Sequence, residues 1–100
     1  MPRRAGIALQ NEFAIAETPG FAAKVQAREY RSVYEKIRKY VYPQLRLNPF
    51  FGPSIKKLQG EFAQIYRYRI GDFRLFYLVR KEQIMVVVID EEKRRDAYRP

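Results

Sequence analysis

Three arginines in one short stretch are the residues best suited to chemistry. From Lys56 to Tyr77 the chain reads KKLQGEFAQIYRYRIGDFRLFY. Arg67 and Arg69 alternate with Tyr66, Tyr68 and Ile70. Gly71-Asp72 marks a turn, and Phe73, Leu75 and Tyr77 then alternate with Arg74 and Phe76. Side chains of a strand point alternately to opposite faces. A β-hairpin here therefore gathers Arg67, Arg69 and Arg74 on one face and sets aromatic residues on the other. Guanidinium groups resist burial and repel one another when clustered. Such a set suits an anion, and the phosphate of a nucleic-acid backbone is the natural one. A solvated, merely charged face would explain two arginines. Three on one hairpin, with Lys93, Arg94, Arg95 and Arg99 at the chain end, favour an anion site.

The closing run KRRDAYR sets Tyr98 among four basic residues. Neighbouring positive charge favours a phenolate, so Tyr98 is a candidate to transfer a proton or to stack on a base. It could equally anchor the chain end. Lys56 and Lys57, expected in the loop before the hairpin, either track a phosphate backbone or are plain solvated lysines. Histidine and cysteine are absent. That excludes histidine acid–base chemistry, the usual zinc sites and any disulfide framework. The acidic run Asp90, Glu91, Glu92 is a poor metal site and balances the basic run beside it. There is no phosphate-cradling glycine motif, and no metal or cofactor is expected.

One hundred residues at 47% hydrophobic content make one domain with a modest core. Lys plus Arg number 20 against 11 Asp plus Glu, a formal charge of +9. A chain this basic meets a polyanion, an anionic membrane surface or an acidic protein. No apolar run approaches a membrane span, and the start MPRRAGIALQ is too short in its apolar part for a secretory signal. The lack of cysteine fits a reducing cytoplasm.

The elements that must position these residues follow from periodicity. Residues 1–11 show no clear period and are expected to form a flexible arm; residues 12–100 make the domain. EFAIAE, 12–17, reads as a short strand. Thr18-Pro19 is a helix start, with Phe21 and Val25 on one stripe. Tyr30, Val33, Tyr34, Ile37, Tyr40 and Val41 follow the helical period. LRLNPFFGP, 45–53, reads as a loop. Strands are expected at roughly 61–70, 73–80 and 83–89, the last apolar enough to be buried on both faces. The end, DEEKRRDAYRP, looks too charged to pack deeply. The order β-α-α-β-β-β gives an α+β fold, a small, mostly antiparallel sheet with two helices on one face.

The series NPF, KKLQG, YRYRIGDFRLFY, IMVVVID and KRRDAYR resembles the RelE/ParE toxin superfamily of type II toxin–antitoxin modules. The resemblance runs over about residues 12–99 and is nearer to the RelE branch. It implies a RelE-like fold and a metal-independent, ribosome-dependent mRNA endoribonuclease that inhibits translation in the cytoplasm. Its implied partners are mRNA, the ribosome and a cognate antitoxin, with a higher-order toxin–antitoxin complex that binds operator DNA through the antitoxin; no membrane is involved. The catalytic positions carry over to Arg67, Arg69, Arg74, Tyr98 and one terminal arginine. Arg94, four residues before Tyr98, is the choice over Arg95. RNA-binding positions are Lys56, Lys57, Lys93, Arg95 and Arg99. Several relatives have lysine where Arg67 and Arg69 stand, and many have histidine at about Lys93. The general base is therefore left to Tyr98, a lysine or a carboxylate. The rival readings are a ParE-like, non-catalytic inhibitor of DNA gyrase and a plain basic RNA-binding module.

Overall fold

The computed structural model describes residues 12–93. Strand β1 (Ala14–Glu17) leads into helix α1 (Pro19–Lys24). A 3₁₀ turn at Arg28–Tyr30 then opens a long helix α2, in which Arg31–Lys36, Ile37–Val41 and Tyr42–Leu47 follow without a break. Strands β2 (Ile55–Lys57), β3 (Tyr66–Ile70), β4 (Phe73–Arg80) and β5 (Met85–Lys93) complete one sheet in the order β1-β5-β4-β3-β2. β1 lies parallel to β5; all other pairs are antiparallel.

Local sequence accounts for each element. Thr18 caps α1: its Oγ1 accepts the Phe21 N–H at 3.2 Å and donates to the Ile89 carbonyl at 3.2 Å, while Pro19 supplies a preset φ at the first turn. Val33, Ile37, Val41 and Leu45 recur every fourth residue and all face the sheet. In a straight α-helix such a row drifts by about 40° per step. Ile37–Val41 is a π-helical turn in which Tyr42 N–H donates to the Ile37 carbonyl, and the wider turn keeps the row aligned. The same widening lets the helix pass Pro43, which lacks an N–H. The expected loop at 45–53 therefore begins after Leu47, and Tyr40, expected on the apolar stripe, is 62% exposed.

Leu75, Tyr77, Val86 and Val88 meet Phe21, Val25 and the α2 row to form the core. Tyr77 is fully buried, stacks on Tyr66 at 5.5 Å and donates its hydroxyl to the Pro49 carbonyl at 2.7 Å. Burial pushes its phenol far above the ordinary range. Tyr77→Phe should cost about 1–2 kcal/mol, because the Pro49 carbonyl is left unpaired inside the core. Urea unfolding reads this directly; an unchanged midpoint would mean that the bond contributes nothing.

Four further expectations are corrected. Lys56 and Lys57 lie not in a loop but in the edge strand β2, paired with Arg67 and Tyr66. The first hairpin strand starts at Tyr66 rather than 61, because Gly60–Phe62 turns as a 3₁₀ segment with Gly60 at φ 72. The acidic run does pack: β5 continues through Lys93, and Glu91 is fully buried. Val87 and Ile89 are only half-buried, since helices cover one face of the sheet.

A β-bulge decides what the end of β5 presents. Phe76 pairs with Asp90 and Tyr77 with Val88, which leaves Ile89 as the extra residue. Strict alternation from Val86 and Val88 would turn Asp90 and Glu92 inward. The bulge reverses the phase, so Glu91 enters the core side and Asp90 and Glu92 face outward. Lys24 at the end of α1 meets this segment. Its Nζ lies 3.1 Å from Asp90 Oδ1, 2.7 Å from the Glu91 carbonyl and 3.6 Å from Glu91 Oε2. No hydrogen bond within the described residues reaches the Glu91 carboxylate oxygens. Burial raises the Glu91 carboxyl above its ordinary value, against the opposing charge of Lys24.

Candidate nucleic-acid interface

The face of the sheet away from the helices carries the basic set. β3 turns Tyr66, Tyr68 and Ile70 toward the core and Arg67 and Arg69 outward. β4 does the same with Phe73, Leu75 and Tyr77 against Arg74, Phe76, Leu78 and Arg80. Register then aligns two rows across the open face. One runs Lys56, Arg67, Phe76, Asp90. The other runs Arg69, Arg74, Glu92. Neighbouring strands lie about 4.8 Å apart, so the four cations Lys56, Arg67, Arg69 and Arg74 form one patch. Gly71 holds φ 59 in the turn that lets β3 and β4 pair this tightly.

The patch is partly sheltered. Arg69 and Lys56 are exposed and Arg67 is half-buried. The Arg74 side chain is 18% exposed, and its Nη2 donates to Glu92 Oε1 at 3.1 Å. Beside it lies an apolar cleft of about 410 Å³ lined by Leu58, Phe62, Ile65, Phe76, Ile89, Asp90 and Glu92. Cations that hold phosphate next to an apolar surface that accepts a base are the two elements of single-strand recognition.

The other positions singled out in the sequence lie elsewhere. Lys57 points to the helix side, with its ammonium 5.8 Å from the centre of the Tyr66 ring. It lines a second cleft with Phe13, Phe50, Phe51, Tyr66 and Lys81. Lys93 pairs with Phe73 and so shares the core-side phase of β5. Arg94, Arg95, Tyr98 and Arg99 lie outside the described residues, as does the arm at 1–11. Arg80 and Glu92 share the open face, although the sequence reading gave Arg80 no role and set Glu92 only against the basic run beside it. Continuing the period of two from Arg74 would have found Arg80. Glu92 was hidden by the bulge. Among the described residues no group of three His, Cys, Asp or Glu could hold a metal ion, and no helix is long and apolar enough to cross a membrane.

No protein-family description matches the sequence, and no curated protein does. Solved structures do match. A chain of the toxin–antitoxin complex RelBE2 from Mycobacterium tuberculosis superposes with a TM-score of 0.70 at 19% identity, over 83% of this chain and 92% of that one. YafQ from E. coli gives 0.64 at 15% identity, over 88% and 100%. The YoeB/ParE toxin from Agrobacterium tumefaciens gives 0.61 at 25% identity, over 81% and 98%. The fold of this chain is therefore the RelE-like fold, in agreement with the resemblance drawn from the sequence.

Proposed function

We propose that this chain is the toxin of a type II toxin–antitoxin module and acts as a ribosome-dependent mRNA endoribonuclease in the cytoplasm. The observation that carries the reading is the patch of Lys56, Arg67, Arg69 and Arg74 beside an apolar cleft, on a fold shared with RelE-type toxins. Arginines stay charged at any working pH and offer forked donors to a phosphate. The chemistry they suit is attack by the RNA 2′-oxygen on the adjacent phosphorus. The P–O5′ bond breaks, leaving a 2′,3′-cyclic phosphate and a 5′-hydroxyl. The added charge on the phosphorane is where preorganised cations help most. A ribosome that fixes the mRNA in an attacking geometry would supply the remaining positioning.

The partner we propose is an acidic or amphipathic antitoxin that covers the basic face, as the RelBE2 complex is a toxin bound to its antitoxin. Operator DNA is then reached through the antitoxin. In this scheme Arg94 and Tyr98 join the catalytic set and Arg95 and Arg99 the RNA contact, Lys93 lies off this face on the core-side phase of β5, and the arm at 1–11 stands outside a single domain. The rival is gyrase inhibition, kept open by the neighbour that bears the ParE name. Induction of the chain in a bacterium separates the two. Primer extension on a translated mRNA should show translation-dependent cuts, while plasmid supercoiling stays normal. Gyrase-linked DNA breaks without mRNA cuts would replace this reading with the rival.

A further inference from the structure

We propose that Glu92 is the general base of this cleavage, an assignment that rests on the endoribonuclease reading. The chain has no histidine and no cysteine, so proton removal falls to a carboxylate, a lysine or a tyrosine. The sheet register puts two described carboxylates on the open face, Asp90 and Glu92. Asp90 is committed to the fold: its Oδ1 accepts from Lys24 at 3.1 Å and from the Glu91 N–H at 2.8 Å. Glu92 instead ends the row Arg69, Arg74, Glu92. Its bond to Arg74 uses Oε1, so the proton transfer is assigned to Oε2. The side chain is 47% exposed, so a substrate can reach it.

The groups that face Glu92 are cationic on the sheet side: Arg74 on β4 and, one strand further, Arg69 on β3. Asp90 lies two positions back along its own strand. Lys24, on the outer side of β5, is engaged by Asp90 and Glu91. A phosphate held by Arg69 and Arg74 therefore sits one side chain away from a carboxylate oxygen able to accept a proton. Glu92 Oε2 takes the 2′-hydroxyl proton as the 2′-oxygen bonds to phosphorus. The 5′-oxygen leaves with the P–O5′ bonding pair and takes a proton from water. Glu92 then returns its own proton to solvent, and the cycle closes without any other reactant.

The test is single-turnover cleavage of mRNA on programmed ribosomes, across a range of pH, with wild type, Glu92→Gln and Glu92→Asp. Glutamine keeps an acceptor for Arg74 but cannot take a proton. We expect Glu92→Gln to lose about a hundredfold to ten-thousandfold in rate. We also expect it to lose the fall in rate that the wild type shows as its carboxylate protonates at low pH. Glu92→Asp should recover part of the rate and regain that acid limb. Should a Glu92→Gln melt show it unfolded, the pH profile of Glu92→Asp still decides, because a shorter carboxylate base keeps the limb with a lower plateau. A wild-type rate or a wild-type acid limb in Glu92→Gln would overturn the assignment and leave the endoribonuclease reading standing. A wild-type protein that makes no cut on translated mRNA would remove both.

Discussion

Arg74→Ala should lose mRNA cleavage by about a hundredfold or more while remaining folded, the loss typical of one charge-stabilising donor in a preorganised site. Arg74 is central to the patch: Arg69 flanks it on β3 and Glu92 on β5. Its side chain is 18% exposed, so its position is set by packing as well as by charge. Arg69→Ala should behave likewise, although Arg69 is exposed and its loss disturbs the sheet less. Arg74→Lys is the informative companion. It keeps the charge but loses the planar fork, and it should recover little if two phosphate oxygens are held together. Cleavage on programmed ribosomes measures the rate, and circular dichroism checks the fold. Full activity in folded Arg74→Ala and Arg69→Ala would move the site off this face.

Lys24→Met should be the most damaging single change to stability outside the apolar core, at about 2–3 kcal/mol. Breaking a fully buried pair costs roughly 3–5 kcal/mol; the Lys24 side chain is 34% exposed, and solvent screening reduces the figure. The cause is Glu91, fully buried with both carboxylate oxygens lacking hydrogen bonds within the described residues. The sign with pH follows. The folded-state carboxyl is raised above its ordinary 4.5 by burial, so protonated Glu91 favours the folded chain. That contribution is complete below the unfolded value and is lost as pH rises through the folded one. At neutral pH the buried carboxylate depends on Lys24, and the deficit of Lys24→Met should shrink as the solution is acidified into the range where Glu91 protonates. Lys24 has the same sense at the alkaline end. Burial works to lower it, but the bond to Asp90 and the charge of Glu91 outweigh that and hold it above 10.5. Its contribution is complete below that value and is lost above it. Urea midpoints of both proteins from acid to neutral pH measure the trend; a deficit that grows toward acid would refute the account.

The hairpin was legible because its information is local. Alternation of Arg67 and Arg69 with Tyr66, Tyr68 and Ile70, and a glycine at the turn, needs no distant partner to be read. The cap at Thr18-Pro19 is local in the same sense. What escaped the sequence depends on tertiary partners. Three residues, Ile55–Lys57, are too few to show alternation, and their strand exists because β3 offers an edge. Pro43 reads as a helix stop under the i→i+4 pattern, which the π-helical turn at Ile37–Val41 suspends. Glu91 looks solvated within an acidic run because Lys24, which offsets its charge, lies 67 residues away in sequence. Glu92 reaches the arginine row because one extra residue at Ile89 shifts the phase of a strand. No count of charges along the chain contains that shift.

The parallel pairing of β1 with β5 also governs when the molecule can become itself. Ala14 finds its sheet partner in Met85, and the Thr18 hydroxyl bonds Ile89 across 71 residues. Loop closure over that distance comes before any reward from the contact, so these pairings form late and slow folding. A nascent chain emerging N-terminus first can build α1 and α2 as local turns, yet β1 stays without its neighbour and Lys24 without Asp90 and Glu91 until β5 has been made. Glu92 arrives in that same last strand. The row Arg69, Arg74, Glu92 thus stays incomplete until β5 has paired with β4, and the open face takes its final form only at the end of folding.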